Sequence, residues 1–297
     1  MLSRRLMLMS PVAQLIPSAT GTVGTMTLSL HQYTSAGAGF RRSLEGWARA
    51  GIKNVEITST MLDEFLKTET IAVAGRLISD LGLTPVSAAC GVVGLWEPNA
   101  NRAAALDSFK KRCKMFASLG LSRTYAPTTA AEKFTLDDYR AGAQNMREVG
   151  EIAKHFRMTA MVEFVRTSSF VSTLTTLLKM TREGAHSNLR PMLDCYHFWS
   201  GLSKFEDLDL IRPGELAHVH FQDVPDMPWE LLDNTTRLIP GDGISPLERI
   251  LRKLSEKEYS GSLSVELFLP QFQQADPYEL ARRIRERAEP LMRRAGV

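Results

Sequence analysis

The sequence has few of the features that mark several large classes of protein. Its three cysteines, Cys90, Cys113 and Cys195, form no paired framework and no C-x-x-C motif, which suits a reducing cytoplasm. No apolar run approaches the length of a membrane span, so we expect no membrane partner. The 36 basic and 33 acidic residues leave a formal charge of +3, an excess too small to indicate a nucleic-acid partner.

The N-terminus carries an ambiguous targeting signal. Arg4 and Arg5 resemble the start of a twin-arginine export signal, but the apolar stretch behind them is short and is broken by Pro11 and Pro17. We therefore interpret residues 1–25 as a flexible extension of a cytoplasmic protein and keep export as the alternative.

From residue 26 onward, strand-like and helix-like patterns alternate. The expected strands are 26–31, 54–58, 85–89, 123–126, 159–164, 190–194, 217–221 and 262–267, and the expected helices are 41–50, 62–81, 103–119, 136–156, 170–183, 246–255 and 277–294. Such alternation demands a parallel sheet, and eight units close as a barrel. We predict an α/β fold, a single (β/α)8 TIM barrel over residues 26–297. A doubly wound open sheet is the alternative, but no G-x-G-x-x-G follows the first strand.

Four acidic or imidazole side chains fall late in the last four expected strands. They are Glu163, Asp194, His220 and Glu266. Because TIM-barrel active sites lie at the C-terminal strand ends, we expect these side chains to surround one mouth. Any one of them is ordinarily a solvated or salt-bridged residue, but four on consecutive strands favour a shared site. His218 shares the strand face of His220, and we prefer His220 because it lies nearer the strand end.

Three carboxylates and one imidazole make an oxygen-rich set of metal ligands. Such a set suits one divalent ion, with Mn²⁺ as our first choice and Mg²⁺, Co²⁺ or Zn²⁺ as alternatives. A dication there would polarise a carbonyl and a neighbouring hydroxyl, which acidifies the adjacent C–H. Glu163 and Glu266 come from non-neighbouring strands and could face one carbon from two sides, so we predict that they are the catalytic acid–base groups.

These segments resemble the sugar phosphate isomerase/epimerase-like family, the xylose-isomerase-like TIM barrels. The motifs that carry the resemblance are Val162-Glu163-Phe164, the D-x-x-H of Asp194 to His197, the H-x-H-x-x-D of His218 to Asp223, the R-x-x-P-G-x-G of Arg237 to Gly243, and Ser264-Val265-Glu266. The resemblance implies that Glu163, Asp194, His220 and Glu266 bind the metal. It also implies that His197 and Arg237 contact the substrate, and Glu56, a strand-two acid near the pocket, is a further predicted substrate-binding residue.

Two further residues are judged by position. Trp199 follows His197 closely, so we predict that it stacks on a sugar ring. His31 ends the first expected strand, where contact with the pocket and a purely structural role both stay open.

The chain departs from ketose 3-epimerases at two points. Thr167-Ser168-Ser169 stands where those enzymes carry a second Glu, and the segment between His220 and Arg237 is longer, like a loop inserted over the mouth. Both departures suit a keto-sugar, a cyclitol or a 3-keto-glycoside. The predicted function is therefore an isomerase or epimerase acting next to a carbonyl through an enediolate, and the alternative is a lyase, either a dehydratase or a β-eliminase, using the same metal site.

Two other classes are less favoured. The endonuclease IV branch, which repairs DNA, needs three metals and a richer histidine set than the six histidines of this chain. A metal-free binding barrel would not need the four candidate ligands. Family members are often dimers or tetramers, so the resemblance implies a homo-oligomer with a small-molecule sugar or cyclitol substrate.

Overall fold

The computed structural model describes residues 25–297, and the N-terminal residues 1–24, with Arg4 and Arg5, lie outside the described part. Eight strands form a closed barrel in the order β1 to β8. They are β1 Thr27–His31, β2 Asn54–Thr58, β3 Thr84–Ala89, β4 Arg123–Pro127, β5 Thr159–Glu163, β6 Leu189–Asp194, β7 Val219–His220 and β8 Ser262–Val265. Each strand pairs in parallel with its neighbours, and β1 also pairs with β8. The predicted (β/α)8 barrel is confirmed, and the open-sheet alternative is wrong.

Helices follow the strands and cover the barrel. They are α1 Gly39–Arg49, α2 Ser59–Phe65, α3 Ile71–Asp80, α4 Arg102–Ser118, α5 Leu136–His155, α6 Leu174–Gly184, α7 Cys195–Trp199, α8 Leu247–Glu256, α9 Pro270–Gln273 and α10 Pro277–Ala295. The expected helix 62–81 is two helices, because the Thr70 side chain accepts the Val73 N–H and starts a new helix there. No helix of residues 25–297 is long and apolar enough to cross a membrane.

Strand alternation sorts side chains between the two faces of the barrel wall. In β8, Leu263 and Val265 join the large apolar core under the helices. Ser264 and the following Glu266 point the other way, into the barrel. The interior also holds a separate small cluster that includes Tyr125 and Met161. Inward-facing carboxylates at the strand ends therefore sit above a filled barrel interior and share one opening.

Candidate metal centre

The four predicted ligands lie together at the C-terminal strand ends. Glu163, Asp194 and His220 are the last residues of β5, β6 and β7, and Glu266 directly follows β8. Asp194 and His220 are register partners in adjacent strands. One oxygen or nitrogen atom from each of the four lies within 4.8 Å of the others, and all four residues are buried. Closure of the barrel is what brings β5 and β8 to the same opening.

The His220 ring offers a different nitrogen to each side. Its Nδ1 lies 3.1 Å from Glu163 Oε1, 3.5 Å from Asp194 Oδ2 and 3.4 Å from Glu266 Oε2. Its Nε2 lies 3.2 Å from Glu56 Oε2. A carboxylate on the far nitrogen fixes the orientation of a metal-binding imidazole and raises its basicity. Nδ1 is therefore the atom that faces the site.

Glu56 is a buried partner of His218 and His220. It is fully buried, and Oε2 of its carboxylate also lies 3.0 Å from His218 Nε2, while its contact with a substrate stays a prediction. Burial would raise the pKa of Glu56, but the two imidazoles outweigh burial and hold the pKa well below its usual value. Glu56 lies two residues before the end of β2, so its inward side chain sits deeper in the barrel than the strand ends and lies beneath His220.

Arg237 lies against the ligand set. Its Nη1 donates to Asp194 Oδ2 at 2.8 Å and to Glu266 Oε2 at 2.7 Å, and its Nη2 donates to His197 Nε2 at 3.0 Å. Burial lowers the pKa of His197 to about 4, so this imidazole is neutral and accepts from the guanidinium. Arg237 and His197, both predicted to contact substrate, thus border the carboxylates directly.

Asp194 is held by donors on both oxygens. Oδ1 accepts the backbone N–H of His197 at 2.7 Å, where Asp194 caps α7, and Oδ2 accepts from Gln222 Nε2 at 2.7 Å in addition to Arg237. Burial would raise the pKa of Asp194, but the Arg237 guanidinium and the contact with His220 outweigh burial and hold the pKa well below its usual value. Sequence analysis missed Gln222, although the alternation from His220 puts it on the same inward face.

Glu163 and Glu266 have the same chemistry and different surroundings. Burial, together with the charges of Asp194 and Glu266, raises the pKa of Glu163 to about 7, despite an opposing contact with His220. Burial acts in the same direction on Glu266, but His220, His31 and Arg237 outweigh it and lower the pKa to about 2. Near neutral pH, Glu163 exchanges protons readily while Glu266 stays ionised.

Two more buried side chains touch Glu266. Tyr125 places its hydroxyl 3.3 Å from Glu266 Oε1, and His31 places Nε2 3.4 Å from the same oxygen. The structure therefore brings His31, whose role the sequence left open, to the site. Sequence analysis missed Tyr125, although it is paired with Met161, two residues before Glu163 on the inward face of β5.

A long segment follows β7, and we call residues 225–236 the strap. Arg166 donates to the carbonyls of Trp229, at 3.2 Å, and Leu232, and the Tyr196 hydroxyl donates to the carbonyl of Asp233 at 2.7 Å. Glu163 and Glu266 are each only 4% exposed. The strap leads directly into Arg237, and its place over the mouth stays a prediction.

Trp199 packs under the strap. It contacts a small buried cluster formed by Tyr196, Val224 and Leu232, in which Met227 of the strap also takes part. Open grooves on the described surface lie elsewhere, one of them between α5 and α6 beside Tyr139. Trp199 therefore packs against the same buried cluster as Met227 of the strap, and its stacking on a substrate stays a prediction.

The residues present fit a divalent cation. Three carboxylate oxygens and one imidazole nitrogen converge, the far nitrogen of the imidazole is held by Glu56, and Asp194 has its own hydrogen-bond donors. Two of the carboxylates already share the positive charge of Arg237, which is how a buried acidic cluster avoids mutual repulsion. The donor set is hard and oxygen-rich, as Mn²⁺, Mg²⁺ or a mixed-ligand Zn²⁺ site requires.

Comparisons with known proteins agree with this geometry. A sequence profile described as xylose isomerase-like TIM barrel matches residues 45–291. An inosose isomerase from Halalkalibacterium halodurans is 27% identical over 242 residues, which cover 80% of this chain and 86% of that protein. A 3-dehydroshikimate dehydratase from Bacillus anthracis is 23% identical over 153 residues, 48% and 54% of the two chains. The solved structure of the IolI protein with a bound zinc atom has a TM-score of 0.83 at 21% identity, covering 90% of this chain and 98% of that chain, a likeness of fold.

Proposed function

Because the chain belongs to the xylose isomerase-like TIM barrel family, we propose that it is a divalent-metal-dependent isomerase or epimerase acting next to the carbonyl of a sugar-like substrate. The observation that carries the proposal is the convergence of Glu163, Asp194, His220 and Glu266 within 4.8 Å. A keto-cyclitol is the substrate class we favour, since the relative with the higher identity given above is named an inosose isomerase.

Glu163, Asp194, His220 and Glu266 would hold the metal. The bound ion would supply positive charge beside the carbonyl and hydroxyl oxygens of the substrate. That charge would acidify the C–H of the hydroxyl-bearing carbon next to the carbonyl. Three carboxylates make Mn²⁺ our first choice, while Mg²⁺, Co²⁺ and Zn²⁺ accept the same donors. The zinc named in the IolI structure keeps Zn²⁺ in the test set.

The chain's own groups divide the remaining work. Glu163 takes the proton from the carbon next to the carbonyl and can return it, since a carboxylate held beside the reacting carbon can act as base and then as acid. Glu266, held ionised, faces the same space from β8 and is the second candidate for proton transfer in an epimerisation. Arg237 donates to substrate oxygens from its position beside Asp194, and His197 orients that guanidinium.

A lyase that uses the same groups is the second candidate. The match to a 3-dehydroshikimate dehydratase favours it, since dehydration begins with the same removal of a proton next to a carbonyl. Loss of a hydroxyl or glycosyl group from the next carbon would then give an unsaturated ketone. Thr167-Ser168-Ser169, which offers no carboxylate to grip a ketohexose, also supports a substrate other than a free ketohexose.

Two further proposals concern the whole protein. We infer a cytoplasmic homo-oligomer, a dimer or tetramer, from the resemblance to family members and from three buried free cysteines. Light scattering of the purified protein tests the oligomeric state.

The test of the proposed function is deuterium uptake. Metal-loaded protein is mixed in D₂O with a panel of inososes, keto-sugars and 3-keto-glycosides, and exchange at the carbon next to the carbonyl is followed by NMR. We expect enzyme-dependent exchange with at least one keto-cyclitol and none after chelation. An ultraviolet-absorbing enone product would select the lyase, and lack of both exchange and enone across the panel would contradict the proposal.

A further inference from the structure

We propose that His31 and Tyr125 are positioning residues that clamp Glu266 and His220, and so set how tightly the centre binds a dication. The inference rests on the proposed function, because it assigns both residues to the same centre. Neither residue belongs to the four predicted ligands, and each enters the barrel from a strand, β1 or β4, that supplies no ligand.

A directed chain of hydrogen bonds leads from β1 to Glu266. His31 Nδ1 accepts the backbone N–H of Tyr33 at 3.3 Å, so the ring proton of the neutral imidazole sits on Nε2. Nε2 lies 3.1 Å from the Tyr125 hydroxyl, and that hydroxyl lies 3.3 Å from Glu266 Oε1. The Nε2–H thus donates toward the phenol, and the phenol donates to the carboxylate.

The two oxygens of Glu266 are held from opposite sides. Oε2 takes Arg237 at 2.7 Å and faces the imidazole of His220, whereas Oε1 faces only His31 and Tyr125 among the contacts described. The last torsion of a glutamate side chain is broad, so hydrogen bonds rather than covalent geometry fix the plane of its carboxylate. Without donors on Oε1, the carboxylate of Glu266 would be free to turn about Oε2.

The same two rings also pack on the imidazole of His220. The Tyr125 ring lies 5.0 Å from it at an interplanar angle of 85°, and the His31 ring lies 5.5 Å from it at 70°. These are edge-to-face arrangements, which favour one orientation of each ring. His220 is therefore held by Glu56 at Nε2 and by two aromatic edges on its flanks.

Tyr125 and His31 are buried, and burial alone would be explained by a role in the core. The Tyr125 hydroxyl and His31 Nε2, however, both lie beside Glu266 Oε1, an oxygen of a predicted metal ligand. Partners that orient metal ligands commonly change metal affinity or activity about 10- to 100-fold when they are removed. Metal affinity therefore separates a clamp from a space-filling residue.

The experiment is a Co²⁺ titration of Tyr125→Phe against a matched control. Tyr259→Phe also deletes one buried phenol hydroxyl, which donates to the carbonyl of Ser262 at 2.6 Å, but it does so at the start of β8 and away from the ligands. We expect Tyr125→Phe to weaken Co²⁺ binding about tenfold or more. Tyr259→Phe should bind Co²⁺ like the wild type, although both variants lose some thermal stability.

A second pair of variants tests His31. The amide of His31→Gln can still donate near the place of Nε2–H, whereas His31→Ala cannot. We expect His31→Gln to retain Co²⁺ affinity better than His31→Ala, a rescue that a space-filling role does not require.

The outcomes separate the clamp proposal from the proposed function. Wild-type Co²⁺ affinity in Tyr125→Phe, or an equal loss in Tyr259→Phe, would overturn the clamp and leave the proposed function standing. A wild-type protein that binds Co²⁺ but gives neither deuterium exchange nor an enone with any member of the panel would contradict the proposed function, while the titration would still decide the clamp.

Discussion

Glu163 and Glu266 face one another across the centre and are chemically identical, yet their surroundings give them different charges at neutral pH. Burial and acidic neighbours raise the pKa of Glu163 to about 7. Arg237, His31 and His220 hold Glu266 ionised against the effect of burial. Of the two, Glu163 is the group whose proton state changes near neutral pH before a dication binds.

Replacing Glu163 with Gln should therefore abolish proton transfer while keeping the fold. The amide has the same shape but takes up no proton, so we expect the rate of deuterium exchange to fall about 10²- to 10⁴-fold. NMR of an inosose in D₂O measures it. Glu151→Gln, at an exposed position paired with His186, is the matched control and should exchange like the wild type. Equal rates in Glu163→Gln and the wild type would remove Glu163 from the mechanism.

Metal binding should release protons in a pH-dependent number. Below its pKa of about 7, Glu163 carries a proton that a dication must displace. Burial would lower the pKa of His220, but Glu266 and Glu56 outweigh burial and raise it well above its usual value. Because the Glu163 proton is present at pH 6 and largely absent at pH 8, we expect more protons to be released on binding at pH 6 than at pH 8, with affinity rising as pH rises to 7.

Titration calorimetry in buffers of different ionisation enthalpy gives this proton count. A count that does not change between pH 6 and pH 8 would show that Glu163 is already ionised before the metal binds.

At the scale of chain segments, the strap is the part of the chain that leads from the end of β7 to Arg237. Arg166 ties it to β5 through the carbonyls of Trp229 and Leu232, and Asp223 accepts the N–H groups of Gly241 and Gly243, each at 3.0 Å, beyond its far end. The strap is thus held near its middle by Arg166, and its flanking segments are joined by the backbone hydrogen bonds between Asp223 and Leu238 and by the Asp223 side chain.

Removing the two hydrogen bonds that Arg166 donates should make the strap, and no other segment, more mobile. In Arg166→Ala we expect backbone amides of 226–236 to exchange hydrogen faster, since local opening no longer breaks two hydrogen bonds. Hydrogen exchange with mass spectrometry measures this. Arg190→Ala is the matched control, because Arg190 also donates to two loop carbonyls, of Gly214 and Glu215, at the opposite end of the barrel. Unchanged hydrogen exchange in the strap of Arg166→Ala would show that Arg166 does not hold the strap.

The sequence could predict which strands end in carboxylate or imidazole side chains that converge, but not how deep each inward side chain lies. Glu163, Asp194 and Glu266 end apolar runs, and alternation alone assigns them to one face. Glu56 looks similar in sequence, and only the register of β2 against β1 puts it beneath His220. The sequence does not mark Tyr125 as a site residue, because a tyrosine in an apolar strand is usually a core residue. Only barrel closure brings β4 opposite β8 and the Tyr125 hydroxyl to Glu266.

For the whole molecule, the centre joins four consecutive strands that the chain supplies over 104 residues, from Glu163 to Glu266. Closed parallel barrels depend on such distant contacts, so a cation shared by β5 to β8 would fasten the C-terminal half of the barrel. It would bind the folded chain and not the unfolded one, which stabilises the fold by mass action.

Metal should therefore raise the thermal stability of the whole barrel. At a free Mn²⁺ concentration of 100 times Kd, the expected gain is about 2.7 kcal/mol in the free energy of unfolding. Differential scanning calorimetry with added Mn²⁺ and with chelator measures it. In His220→Asn the gain should shrink or vanish, because the nitrogen ligand is lost. A gain in His220→Asn equal to that of the wild type would mean that Mn²⁺ acts at another site.

A crystal of the protein soaked with Mn²⁺, with data collected near the manganese absorption edge, reports where the cation binds. We predict a single strong anomalous peak between Glu163, Asp194, Glu266 and Nδ1 of His220. A peak elsewhere, or none at this position while Arg237 still bridges Asp194 and Glu266, would contradict a metal centre at the strand ends.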